Sequence, residues 1–332
     1  MDEAPLLSIK NLRIAFPIQV ADGYSDLFVV NDVSLNLGAR EIMAVVGESG
    51  SGKTTMALAT LGLIPSPGCI KNGKILFNGL DLLTLDKKTT RHYRGNRISI
   101  IFQDPTTALN PTLTVGDQIL EAYILHNQNS YIKVQELVID LLVKVGINDP
   151  KRIFDSYPHQ LSGGLRQRAI IAMALICKPE LLIADEPTTS LDTTIQAQIL
   201  DLLLDLQEQF GMSILFISHN LALVSQFAHK VAVMYAGKIM EILPAKDIVN
   251  KSVHPYTKGL LGLLPSIETR GQVLPSLPGS LSEEDVLSLG CPFANRCPSV
   301  KEICHVECPS LSSPTTRHQF ACHAVPTINE LL

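Results

Sequence analysis

Residues 41–55 read EIMAVVGESGSGKTT, and MALATLGLI (56–64) follows directly. Ile42 to Val46 is an unbroken apolar run of strand length, and 56–64 carries a helical pattern. Between them, Gly47 to Thr54 fits G-x-x-x-x-G-K-S/T, with a strand before it and a helix after it. Glycines at these positions let the backbone wrap closely around phosphate groups, with successive N–H groups pointing inward. The following helix N-terminus adds a favourable partial positive charge. Gly47, Ser49, Gly50, Ser51, Gly52, Lys53, Thr54 and Thr55 are therefore the candidate nucleotide-binding residues. Lys53 would reach the β- and γ-phosphates, and the Thr54 hydroxyl would bind Mg²⁺. The plainer reading is a Gly/Ser-rich turn with an incidental lysine, and the flanking strand and helix weigh against it.

Composition narrows the class further. The chain has 332 residues, 46% of them hydrophobic, and a net charge of −5. At roughly 150 residues per domain, one large or two smaller domains are expected. The charge implies no general affinity for nucleic acid or anionic lipid. The start, MDEAPLLSIK, is acidic and lacks a long apolar run, so no secretory signal is expected. The apolar runs at 169–177 and 181–184 are interrupted by Lys178, Pro179 and Glu180, and none reaches the roughly 20 residues of a membrane span. The expectation is a soluble protein in a reducing compartment, with any membrane role exercised through a partner. In such a compartment clustered cysteines read as metal ligands or catalytic groups before disulfides.

Working outward from the glycine-rich loop, residues 7–15 and 27–37 read as strands of a mostly antiparallel sheet, joined by the loop PIQVADGYSD (17–26). Residues 70–103 give short strands broken by NGK, NGL and DKK. From about 105 to 165 the pattern turns helical. Val134, Leu137, Val138, Leu141, Leu142 and Val145 share one helix face, which predicts a helical subdomain inserted into the sheet-forming region. An apolar helix (166–177), a strand LLIAD (181–185), a helix (194–210) and the strands SILFIS (213–218) and KVAVMY (230–235) follow. This alternation predicts a parallel sheet covered on both faces. A boundary is placed near 245, dividing a domain of residues 1–245 from an extension of residues 246–332. The extension is rich in proline and holds five of the seven cysteines: Cys291, Cys297, Cys304, Cys308 and Cys322.

Two further motifs concern phosphate chemistry. LLIADE places Asp185 at the C-terminal end of an apolar strand, where a carboxylate can help hold Mg²⁺, and Glu186 next to it can accept a proton from an attacking water. LSGGLRQR (161–168) puts a serine and two glycines at a helix start, a second phosphate-binding N-terminus in one chain. The plainer readings are a capping carboxylate and an ordinary Ser-capped helix.

Taken in this order, the motifs resemble those of the ATP-binding subunits of ABC transporters, over roughly residues 5–245. LSGGLRQR is similar to that family's signature motif. The resemblance implies that Ser162, Gly163 and Gly164 contact the γ-phosphate of ATP held by a second ATPase subunit, so that each chain supplies half of two composite sites. Gln103 in IFQDP resembles the family's Q-loop, which senses Mg²⁺ and the permease. Ser190-Leu191-Asp192 resembles the D-loop at the dimer interface, and His219 in FISHN the switch histidine. Phe16 stands where the family has an aromatic that stacks on adenine, with Tyr24 and Phe28 as alternatives.

ADEPTTSLDTTIQAQIL (184–200), SYPHQLSGGLRQR (156–168) and HPYTKGLLGLLPS (254–266) resemble the oligopeptide and dipeptide importer subgroup more narrowly. So does the cysteine pattern at 291, 297, 304 and 322, where the subgroup's members are known with a 4Fe–4S cluster; Cys308 is additional to it. Four thiolates can hold such a cluster or a tetrahedral Zn²⁺; the gaps are wider than the usual zinc pairs, but His305, His318 and His323 offer other zinc sets, so spacing alone slightly favours zinc, the resemblance favours the cluster, and unliganded thiols are the plainer reading. Either metal would supply folding energy to an irregular segment.

The resulting expectation is an α/β fold: a P-loop NTPase with a RecA-like core sheet, an antiparallel β subdomain, an inserted α-helical subdomain and a cysteine-rich extension. The implied function is ATP hydrolysis that powers uptake of di- or oligopeptides through a membrane permease. Nickel or sugars as cargo, or a soluble ABC-type ATPase, are the alternatives. Catalytic roles fall to Glu186, His219 and Gln103, Mg²⁺ binding to Thr54, Gln103 and Asp185, and nucleotide contact to Asp192 among others. The implied partners are a second, different ATPase subunit, two transmembrane permease subunits and, indirectly, an extracytoplasmic substrate-binding protein. The implied location is the cytoplasmic face of the inner or plasma membrane, peripherally bound.

Overall fold

The computed structural model describes residues 4–20, 23–104, 108–127, 131–189, 191–262, 277–315 and 317–325. In chain order its strands are β1 (Leu7–Val20), β2 (Gly23–Leu37), β3 (Ile42–Val46), β4 (Cys69–Phe77), β5 (Leu80–Asp81), β6 (Ile98–Ile101), β7 (Leu181–Asp185), β8 (Ser213–Ser218), β9 (Lys230–Tyr235), β10 (Lys238–Pro244), β11 (Ser312–Thr315) and β12 (His318–Phe320). The chain divides into two compact units. One comprises residues 1–38, 42–83 and 217–332; the other comprises 39–41 and 84–216.

The first unit holds an antiparallel sheet in the order β2-β1-β4-β5. Its longest pairing corrects the sequence reading. The segment 17–26 is not a loop: Pro17 pairs with Asp26, Ile18 with Ser25, Gln19 with Tyr24 and Val20 with Gly23. The Ala21–Asp22 link between the two paired ends lies outside the described residues. The NGK tripeptide likewise does not break a strand. It sits inside β4 at a register shift, with Gly73 at φ 107°, and a Cβ there would strike the Leu12 backbone. A glycine is required at this bulge by conformation and by contact together. NGL does form the turn between β4 and β5, and Asp86 of DKK caps a helix over Lys87–Tyr93.

The first unit also carries the run β11-β12-β10-β9-β3. β3 and β9 are parallel, from Met43 opposite Lys230 to Val46 opposite Val233, and all five residues of β3 are buried. That burial explains the unbroken apolar run in the sequence, because a parallel strand covered on both faces has no solvent side to mark. β12 pairs with β10, with Glu241 opposite Phe320, so the cysteine-bearing end adds strands to this run. Glu241 has no exposed surface. Its carboxylate accepts from the backbone N–H groups of Val253 (2.8 Å) and His254 (3.3 Å), and His318 Nε2 lies 2.8 Å away. A buried carboxylate is tolerable only with partners such as these.

In the second unit, β6 and β7 are parallel, and β8 lies beyond β7. Helices span Val115–Ile124, Tyr131–Lys144, Pro150–Phe154, Gly163–Leu175 and Thr193–Phe210. Thr114, Asp149, Ser162 and Asp192 cap four of them by accepting from the N–H three residues on. In Tyr131–Lys144 and just beyond it, the predicted face is the packed one: Val134, Val138, Leu141, Leu142 and Val145 are buried, Leu137 is half-buried, and Ile132 and Val143 are exposed. Leu142→Ala should therefore cost about 3 kcal/mol by leaving a cavity, read as a fall in the urea midpoint. Val143→Ala should change stability by no more than about 0.5 kcal/mol. Equal effects of the two substitutions would mean that this face is not packed as described.

Candidate functional site

The loop Gly47–Gly52 joins β3 to a helix over Lys53–Thr60. Its shape is set by contacts that leave no room for side chains. A Cβ on Gly47 would strike the Met234 carbonyl, and one on Gly52, where φ is 97°, would strike the Val29 carbonyl. The Ser51 N–H donates to the Glu48 carbonyl (3.2 Å), and the Ser51 carbonyl accepts from the Gly237 N–H (3.0 Å). Lys53 folds back over this turn. Its Nζ donates to the carbonyls of Gly47 (2.9 Å) and Glu48 (2.8 Å) and to Ser51 Oγ (3.2 Å). A 5% exposed ammonium with three oxygen partners is held within the loop, at the start of the helix Lys53–Thr60. A fixed ammonium at a helix N-terminus suits an anion. Ser49, Gly50 and Thr54 are exposed, Thr55 is half-buried, and Ser51 is fully buried.

The same unit places His219, exposed, immediately after β8. Phe16 lies in β1 opposite Leu27, with its ring against Gly68. Of the alternative aromatics, Tyr24 is 81% exposed, and the Phe28 ring lies under the Arg13 guanidinium at 5.7 Å.

The second unit gathers the remaining candidates. β7 is buried throughout and delivers Asp185, 2% exposed, at its C-terminal end. Glu186 follows in the left-handed region at φ 45°, a conformation costly for a residue with a Cβ. Its carboxylate is held from two sides: Gln103 Nε2 donates to Oε2 at 3.1 Å and Thr189 Oγ1 donates to the same oxygen at 2.9 Å. The turn after it is fastened by Gln167 Nε2 donating to the Pro187 carbonyl (2.7 Å) and Gln196 Nε2 donating to that of Thr188 (2.9 Å). A carboxylate fixed in an unfavourable backbone conformation, with its direction set by two donors on Oε2, has the chemistry of a proton acceptor.

Ser162 caps the helix Gly163–Leu175, its Oγ accepting from the Leu165 N–H at 3.4 Å. Gly163 and Gly164 stand at the helix start beside Leu191 and Ile195, and Asp192 caps the next helix at Ile195. The signature-like and D-loop-like segments are thus neighbours within one unit. Ser190 lies outside the described residues.

All seven cysteines carry free thiols. As they stand, no three His, Cys, Asp or Glu groups among the described residues are grouped to hold a metal ion. Burial pushes Cys291 up to about 12, and the thiols of Cys304, Cys308 and Cys322 add to the rise. Burial also raises Cys297, which senses Cys322 and Cys304, and Cys322, which senses Cys304. Backbone N–H groups just downstream favour the thiolates of Cys291, Cys297 and Cys322: Phe293, Ser299, and Ala324 with Val325. The Ala324 N–H lies 3.4 Å from Cys322 Sγ, and the Lys301 N–H donates to Cys304 Sγ at 3.5 Å. Thiols that are costly to ionise alone, yet faced by amide donors, fit a cationic centre that would hold them as thiolates. Two histidines of the alternative zinc sets are engaged elsewhere: His318 with Glu241, and His323 Nε2 with the Glu307 carbonyl at 3.0 Å.

Sequence reasoning missed a further group: Glu48, Tyr235, Tyr256, Asp285 and Arg296, joined by hydrogen bonds between the glycine-rich loop and the cysteine-bearing end. No spacing or residue type marked them, because their partners lie up to 248 positions apart.

Comparison with known proteins adds the following. Residues 30–189 match the family described as ABC transporter, and residues 240–304 match the one described as oligopeptide/dipeptide transporter, C-terminal region. The dipeptide transport ATP-binding protein DppD of Bacillus subtilis is 45% identical over 318 residues, covering 96% of this chain and 94% of that one. The oligopeptide transport ATP-binding protein OppD of Escherichia coli is 43% identical over 317 residues, covering 96% and 92%. Among solved structures, cbiO1 of Clostridium perfringens superposes with a TM-score of 0.62 at 25% identity, covering 75% of this chain and 92% of that one. The dimeric ABC transporter cassette MJ0796 superposes with a TM-score of 0.61 at 25% identity, covering 72% and 98%.

Proposed function

The chain belongs to the ABC transporter ATP-binding family, in the branch that carries the oligopeptide/dipeptide C-terminal region, and from that premise we propose that it is the ATP-hydrolysing subunit of an importer of di- or oligopeptides. Near-full-length identity to the dipeptide and oligopeptide transport proteins supports the cargo class. The observation that carries the chemistry is the meeting of Gln103 and Glu186 at 3.1 Å, directly after Asp185.

In this reading Lys53 and the amides of the 47–54 loop hold the β- and γ-phosphates. Thr54, Asp185 and Gln103 are the residues that would hold Mg²⁺, which when bound neutralises charge developing on the phosphate oxygens. Glu186 accepts a proton from the attacking water, and its occupied oxygen keeps the carboxylate oriented. His219 steadies the γ-phosphate. Phe16 stacks on adenine. Ser162, Gly163 and Gly164 act on the nucleotide of a second ATPase subunit, with Asp192 at the interface between them.

The division at about residue 245 separates the ATPase domain, with its helical subdomain at about 105–165, from an extension of stabilising or regulatory character. Among the described residues no helix is long and apolar enough to cross a membrane. The subunit would work at the cytoplasmic face, against two permease subunits and beside a second, different ATPase chain.

Cys291, Cys297, Cys304 and Cys322 would hold a 4Fe–4S cluster, whose contribution is to tie the extension together rather than to act on ATP. Protein purified without oxygen should be brown and contain about four irons and four sulfides per chain. One zinc and no colour would replace the cluster with a plain structural ion. No metal at all would refute both.

The function itself is tested by reconstituting the assembly in vesicles. Peptide uptake should require ATP and fail with non-hydrolysable analogues. An assembly that hydrolyses no ATP, whatever peptide is supplied, would sink the proposal.

A further inference from the structure

Glu48 is an awkward residue where it stands. It follows Gly47 in a loop shaped for an anion, and a free carboxylate there would oppose the charge of a polyphosphate. Arg296 meets it: Nη1 lies 2.9 Å from Glu48 Oε2, and the arginine side chain is only 7% exposed. The guanidinium spends its other donors on fixing itself. Nε donates to the Pro278 carbonyl (2.7 Å), Nη2 to the Gly279 carbonyl (3.2 Å), and Nη1 also to Tyr235 Oη (3.1 Å). Its plane sits over the rings of Tyr235 and Phe293, at 5.6 and 5.9 Å. A planar fork with this many fixed partners is more specific than a surface ion pair.

A second contact acts on the same residue. The Glu48 N–H donates to Tyr256 Oη at 3.0 Å, which removes that amide from the loop's supply and fixes its direction. Tyr256 is fully buried against Tyr235 and Phe293, and Tyr235 Oη donates to Asp285 at 2.7 Å. Tyr256, Asp285, Phe293 and Arg296 all belong to the C-terminal region, and Arg296 immediately precedes Cys297.

We propose that the cysteine-bearing lobe clamps the glycine-rich loop, with Arg296 and Tyr256 as positioning residues for nucleotide binding. Arg296 cancels the Glu48 charge, Tyr256 sets the Glu48 amide, and the affinity for Mg-ATP depends on the lobe being in place. Its consequence for affinity rests on the ATPase reading above, whereas the clamp itself does not. Loosening of the segment around Cys297 reaches the loop directly through Arg296 and, by way of Phe293, through Tyr256.

The experiment uses the full chain, with Mg-ATP as the calorimetric ligand and amide hydrogen exchange of residues 47–52 measured without nucleotide. Arg296→Met should raise the Kd for Mg-ATP roughly ten-fold, the scale expected when a half-buried charge loses its partner beside an anion site. Arg296→Lys should recover part of the loss, since it restores charge without the fork. In an E48Q background the same R296M change should cost less than about two-fold, because the offending charge is gone. Loop amides should exchange at least about ten-fold faster in R296M and in Tyr256→Phe.

A Kd for R296M within two-fold of the unaltered chain overturns the charge role, and so does an equal loss in the E48Q background. Unchanged exchange in both variants overturns the clamp. If the unaltered chain binds no Mg-ATP, the ATPase reading fails, and exchange alone still decides the clamp. Should R296M fold poorly, the R296K and E48Q/R296M proteins decide the same points.

Discussion

Glu186→Gln is expected to bind Mg-ATP as the unaltered chain does and to hydrolyse it at least about 100-fold more slowly, a barrier increase of about 2.7 kcal/mol. Glutamine has nearly the shape of glutamate, and one amide oxygen can still accept from Gln103 and Thr189, which hold Oε2 at 3.1 and 2.9 Å. The strained turn at φ 45° is therefore kept. What is lost is the capacity to take a proton from water. The variant separates binding from chemistry: ATP retention by filter binding and phosphate release in a single turnover are measured on the same assembly. Near-normal phosphate release would remove Glu186 from the mechanism and leave the carboxylate a purely structural part of the turn.

Lys53→Ala is expected to weaken Mg-ATP binding by about 100-fold or more, since charge-assisted hydrogen bonds are worth roughly 1.5–3 kcal/mol each and a polyphosphate takes more than one. The lysine Nζ is already aimed by the Gly47 and Glu48 carbonyls and Ser51 Oγ, so little ordering remains to be done when phosphate replaces some of these acceptors. The same three contacts mean that alanine also leaves acceptors without a donor, and a modest loss of loop stability accompanies the loss of affinity. The urea midpoint distinguishes the two effects. Retained tight binding in a folded variant would overturn the phosphate-loop reading. Loss of binding with a collapsed midpoint would show only that Lys53 is structural.

Local chemistry was legible without a structure. A buried strand, a glycine-rich turn and a helix start are determined by neighbours in the chain, and so is a cap such as Ser162, which bonds to an amide three residues on. The helical face of Val134, Val138, Leu141, Leu142 and Val145 follows from a 3.6-residue period and is buried. What failed was long-range pairing read from local punctuation. Segment 17–26 has loop-like composition, yet residues 17–20 and 23–26 are strand because they pair with one another across the hairpin. Asn72-Gly73 has turn-like composition, yet it is a bulge because β1 passes directly beneath it.

The sequence by itself singled out the candidates for phosphate chemistry and their order, because that chemistry needs particular residue types at short spacing: a lysine after glycines, a carboxylate pair closing an apolar strand, a serine and two glycines at a helix start. Only the tertiary structure decided how those residues are held. Gln103 meets Glu186 across 83 positions, and Arg296 meets Glu48 across 248. Such meetings depend on where two distant segments are carried by strands and helices, and one arginine among many looks no different from another until its neighbours are known.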